Sequence, residues 1–72
     1  MAIIIKGITF YRTSEVCRMT GISRATLFRW FKGGILEDRM ARDRRGWRMY
    51  TIEDVNRIIF EVQVVKTHLE TP

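Results

Sequence analysis

Cysteine, histidine and proline each occur once in this 72-residue chain, as Cys17, His68 and Pro72. A lone thiol excludes an intrachain disulfide, and one thiol with one imidazole falls short of a structural zinc set. Long apolar runs are missing too. The opening "MAIII" stops at Lys6 and Gly7, too short for a secretory core or a membrane span. There is no internal repeat, low-complexity tract or linker, so one domain is expected over residues 1–72. Neither metal nor cofactor is expected, and a Cys-poor chain without a signal fits a reducing cytoplasm. Catalytic groups are equally sparse. No nucleophile stands with a matching base, His68 falls in the tail, and the carboxylates are scattered as caps and surface pairs, so an enzyme is not expected.

What the chain does have is basic charge in one place. The net charge is +5, and residues 24–48 carry all of it: Arg24, Arg29, Lys32, Arg39, Arg42, Arg44, Arg45 and Arg48 against Glu37, Asp38 and Asp43. Outside that window five basic and five acidic side chains cancel. A one-sided basic stretch is the footprint of a polyanion binder, although a solvated charged loop has the same composition. Arginine outnumbers lysine seven to one in the window, and its planar fork suits phosphate and guanine edges.

The local patterns outline the fold. "IIIKGITFYR" is β-branched and aromatic, predicting a strand near residues 8–12 with residues 3–5 pairing back as a small hairpin. Residues 1–12 are thus an extra strand region, expected to add to the core, with pairing to a second protomer as the alternative. In "TSEVCRMTG", Thr13 is expected to cap a two-turn helix, with Glu15 in its first turn. Val16 and Met19 share its inner face with Cys17 at the edge, and Gly21 is its stop. Ser23 caps a second helix over residues 24–32, which Gly33 and Gly34 end. The three-residue link makes the pair a helix-turn-helix. Ile35 and Leu36 are expected in the core. Alternation from Trp47 to Tyr50 predicts a two-stranded ribbon with its tip in residues 42–46 and Tyr50 anchored to the core. A third helix opens at Thr51 with Asp54 reaching back. Ile52, Val55, Ile58, Ile59, Val62 and Val65 form its apolar stripe, and residues 67–72 read as a frayed tail.

At about 100° per residue, the second helix divides into two faces. Leu27, Trp30 and Phe31 form the buried stripe. Ala25, Phe28, Arg29 and Lys32 lie opposite, with Arg24 at the N-terminal edge. Trp30 therefore belongs to the core and Arg29 points outward. Phe28 is an apolar residue on an otherwise exposed face, which suggests contact with thymine methyls or with the ribbon. Ala25 allows close approach to a groove, and the helix N-terminus with the Ser23 and Thr26 hydroxyls favours phosphate. In the ribbon, Arg42, Arg44, Arg45 and Arg48 are placed for flanking phosphates or an adjacent minor groove. Trp47 either packs under the ribbon or lies on the sugar-phosphate backbone.

These residues resemble the DNA-binding domain of the MerR superfamily. The resemblance is carried by "TSEVCRMTGISRATLFRWFKGGIL" and, after a charged loop, "GWRMYTIEDV", with the family's spacing kept over about residues 11–60. "TLFRW" is closer to the small single-domain, excisionase-like or stand-alone members than to the metal and drug sensors. The resemblance implies a mainly α fold with a small β component: a winged helix-turn-helix with a two-stranded wing and a C-terminal helix. It places Arg24, Ala25, Phe28 and Arg29 on the DNA side of the recognition helix and Arg45, Trp47 and Arg48 in the wing. The long dimerisation helix and effector domain of the large members are not matched, so no small-molecule effector is implied. The expected function is sequence-specific binding of double-stranded DNA, as a cytoplasmic, nucleoid-associated transcriptional regulator acting as a dimer or a cooperative array. An excisionase-like or packaging role and a protein-interaction module are the alternatives.

Overall fold

The computed structural model describes residues 2–70, with side chains through Val64. Strands β1 (Ile3–Ile5) and β2 (Ile8–Phe10) precede helices α1 (Thr13–Thr20) and α2 (Arg24–Lys32). A ribbon of β3 (Ala41–Arg42) and β4 (Arg48–Met49) follows, then helix α3 (Ile52–Glu70). The fold is mainly helical with two small antiparallel strand pairs.

The caps explain where each helix begins. At α1 the cap residue is Arg12, not Thr13 as expected: its amide donates to the Glu15 carboxylate at 3.1 Å. The Thr13 hydroxyl donates instead to the Tyr50 hydroxyl at 3.1 Å, because Tyr50 is brought beside it by a reciprocal backbone bridge with Tyr11 (2.7 and 2.8 Å). Gly21 closes α1 by donating to the Cys17 carbonyl. Ser23 caps α2 as expected, its hydroxyl accepting the Thr26 amide at 3.1 Å. At the far end Gly34 takes φ 82°, a left-handed turn in which the Ile35 amide reaches back to the Trp30 carbonyl; a side chain here would be strained. Thr51 and Asp54 cap α3 reciprocally, the Thr51 amide donating to the Asp54 carboxylate and the Asp54 amide to the Thr51 hydroxyl. The shorter Asp performs the task usually given to Glu.

The core is built from Val16 of α1, Leu27 and Trp30 of α2, Leu36 and Met40 of the following loop, Tyr50, and Val55 and Ile58 of α3. Met49 is buried as well. Helix α1 packs against both α2 and α3. Several expected core positions lie outside this set. Met19 is exposed because Val16 and the half-buried Cys17 take the inner face of α1. Ile35 is 48 % exposed, since the Gly34 turn aims it outward and gives its place to Leu36. Ile52 sits in the first turn of α3, ahead of the packed region, and is exposed, while Ile59 and Val62 are partly buried. The Val65 side chain and the terminal residues 71–72 lie outside the described residues, whereas α3 is helical to Glu70.

The N-terminal strands pair as a hairpin, Ile3 with Phe10 and Ile5 with Ile8. The turn runs through Lys6 and Gly7, both at positive φ, the geometry that follows strand twist in two-residue loops. The hairpin does not add to the core: Ile4 is 72 % exposed, Ile5 and Ile8 are exposed, and no core residue precedes Tyr11. The hairpin leads into Tyr11, which bridges Tyr50 and packs against the core.

Candidate nucleic-acid interface

Burying Leu27 and Trp30, with Phe31 half-buried, turns the rest of α2 outward. Ser23, Arg24, Ala25, Phe28, Arg29 and Lys32 are exposed, and Thr26 is partly so. The Ser23 hydroxyl also donates to the Thr26 hydroxyl at 2.9 Å, so both oxygens are ordered at the helix start. Helix α2 contains no acidic residue. Among the described residues Arg24, Arg29 and Lys32 make no ion pair.

The ribbon tip is organised by a carboxylate. The Asp43 side chain accepts the Arg45 amide at 2.8 Å and the Trp47 amide at 3.0 Å. Its other oxygen accepts from the Arg12 guanidinium at 2.7 Å. The Asp43 carbonyl accepts from Gly46, which stands at φ 81°, so the chain reverses in the left-handed conformation that glycine supplies. Burial works against the charged form of Asp43, but the Trp47 amide, the Arg12 guanidinium and the Arg45 amide outweigh it and hold its pKa below the usual carboxylate range. Arg44 and Arg45 project from the tip, and the Arg45 guanidinium lies 4.2 Å from the Trp47 ring centroid. Trp47 is 57 % exposed; of its two expected placements, packing beneath the ribbon does not occur.

A second carboxylate sits at the ribbon base. Asp38 accepts from Arg48 through Nη2 at 2.8 Å and Nε at 3.2 Å. It also accepts from Arg42 Nη2 at 2.7 Å, while Arg42 Nη1 donates to the Gly46 carbonyl. The Arg48 guanidinium lies 4.6 Å from the Phe31 ring centroid and 5.3 Å from that of Phe28. The bonds from Arg48 lower the Asp38 pKa, and Asp38 in turn raises that of Arg48.

The twelve positions expected from the sequence thus have different surroundings. Arg24, Phe28, Arg42, Trp47 and Arg48 come together around one open groove of about 410 Å³ between α1, α2 and the ribbon, with Arg12 completing its rim. Four arginines line the groove and no carboxylate does. Arg29 and Lys32 lie further along α2, and Arg44 and Arg45 stand at the tip, all outside this lining. Arg39 pairs with Glu37 in solvent. Arg12, Asp38 and Asp43 join the site in the structure without being marked in the sequence as DNA-contacting positions. Asp43 was legible, since an aspartate three residues before a glycine marks a side-chain-closed turn. The pairing of Arg12 with Asp43 and of Asp38 with Arg48 acts across the fold and leaves no local pattern. Exposed guanidinium and ammonium groups with spare donors, beside ordered hydroxyls at a helix start, suit phosphate oxygens and base edges rather than bond-making chemistry.

A family model described as the MerR HTH family regulatory protein matches residues 11–63. No curated protein and no solved structure matches the chain. The β1–β2 hairpin lies ahead of the matched span, which takes in α1, α2, the ribbon and the packed part of α3. Among the described residues no helix is long and apolar enough to cross a membrane. With helix-turn-helix, ribbon and basic face all inside that span, the chain belongs to the MerR family of helix-turn-helix regulatory proteins, DNA-binding transcription regulators.

Proposed function

We propose that the chain is a sequence-specific binder of double-stranded DNA that regulates transcription as a single winged helix-turn-helix domain. Helix α2 enters the major groove, Arg29 and Arg24 read base edges, and Ala25 allows the close approach. Ser23, Thr26 and Lys32 hold backbone phosphates. The ribbon over residues 39–48 acts as the wing, setting Arg44, Arg45 and the exposed Trp47 on flanking backbone or in the adjacent minor groove.

The observation that carries this reading is the set of cations left without a carboxylate. Arg24, Arg29, Lys32 and Arg44 make no ion pair among the described residues, while Arg39 pairs with Glu37 and Arg42 and Arg48 share Asp38. The free ones follow α2 and the ribbon tip, the two elements that meet a duplex in such folds. A nine-residue α2 is about 13 Å long, enough for roughly four base pairs. Two copies, or a cooperative row of them, are therefore needed for a useful site.

The test is selection from a random duplex pool, followed by titration of the enriched duplex across salt concentrations. A motif with a steep salt slope supports the reading, and the half-site arrangement gives the symmetry of the assembly. A steep slope without a motif replaces it with an architectural role in bending or packaging DNA. Absence of binding at low salt overturns it in favour of a protein-interaction module.

A further inference from the structure

Arg42, Arg48 and Phe28, which line the groove, already have partners within the protein. Asp38 holds Arg48 through two donors and Arg42 through a third. Arg48, only 22 % exposed, is also covered by the Phe28 and Phe31 rings of α2. This explains an exposed phenylalanine on a polar helix face without a DNA methyl group: Phe28 carries the ribbon. A guanidinium that makes a forked bond to a carboxylate and stacks on aromatic rings is held in position, and few of its donors remain for phosphate. The cluster spans the loop after α2, both ribbon strands and α2 itself, so it fixes the angle between the helix and the ribbon.

We infer that Asp38, Arg48 and Phe28 are positioning residues that set the recognition helix and the ribbon at the separation a duplex requires, and that Asp38 is a determinant of specificity although it is an anion on a polyanion-binding face. The inference rests on the DNA-binding reading above. It makes a prediction opposite to simple electrostatics. Removing Asp38 adds a unit of net positive charge and releases two arginines, so charge alone would tighten binding to every duplex. Loss of positioning instead weakens the enriched duplex while random duplex is bound as well or better.

The experiment is fluorescence anisotropy with the full chain, wild type and Asp38→Ala, on the enriched duplex and a scrambled one over a salt series, with thermal melts as a folding control. The expected result is a roughly tenfold loss of the ratio of specific to random affinity, the scale of one charge-assisted contact, with recovery in Asp38→Glu. Equal tightening on both duplexes overturns the inference and makes Asp38 a mere counter-charge. If Asp38→Ala does not melt cooperatively, Arg48→Gln carries the test. An unchanged salt slope on random duplex with lost preference for the enriched one supports positioning. A slope reduced by about one with equal weakening on both identifies Arg48 as a phosphate contact and overturns the inference. If wild type binds neither duplex, the DNA-binding reading itself has failed, an outcome distinct from all of these.

Discussion

At the scale of single residues, the surroundings of each side chain decide its part more than its type does. Arg29 and Arg48 are both arginines of the basic window, yet one is exposed on α2 without an ion pair among the described residues and the other is clasped by Asp38 and two rings. Arg29→Ala should therefore cost about 1–3 kcal/mol on the enriched duplex and relax preference at the bases it reads, checked by repeating the selection with the variant. Retention of the same motif would remove Arg29 from the reading face. Leu27 is wholly buried, so Leu27→Ala acts through lost packing, about 2–5 kcal/mol. Denaturant unfolding should show that loss, a large share of what a domain this small has. Asp38 adds a pH dependence. Its pKa is lowered in the folded state, so the unfolded chain takes up the proton first. The stabilisation is fully present above the unfolded value, about 3.9, and is lost as pH falls through the folded one. Melting temperature should fall in acid, and the wild-type and Asp38→Asn curves should converge at low pH.

At the scale of elements, helix ends and turns were the most legible features. Ser23, Gly21, the Gly33–Gly34 pair and the Thr51–Asp54 box all lie where local hydrogen-bonding demands put them, because caps depend on residues within four positions. The cap of α1 was misplaced because Thr13 is drawn to Tyr50, a partner 37 positions away. The hairpin was legible as strands, but not its exposure, since β-branched residues are equally at home on a surface that nothing covers. Removing residues 1–9 should leave the melting temperature nearly unchanged, given that the core begins after them; a large drop would show that the hairpin supports the helices. For the ribbon, Arg44→Ala should weaken enriched and random duplex alike and lower the salt slope by about one, because Arg44 is exposed at the tip and meets no carboxylate among the described residues.

At the scale of the whole molecule, the fold measures 46 × 21 × 17 Å. Its net charge of +5 should make association with DNA fast at low salt and strongly slowed as salt is added, a dependence stopped-flow mixing would measure. The basic window and the two faces of α2 were visible in the sequence, because charge adds along the chain and helical periodicity is local. From these followed the helix-turn-helix, the buried Leu27 and Trp30, the outward Arg29 and the polyanion partner. Only the tertiary structure decided which arginines remain unpaired. Asp38 meets Arg48 across ten positions and Asp43 meets Arg12 across 31, separations that no local pattern encodes. The pairing of those two carboxylates divides the basic side chains into those that hold the ribbon and those left to meet a ligand, because a carboxylate takes the cation that the fold brings to it.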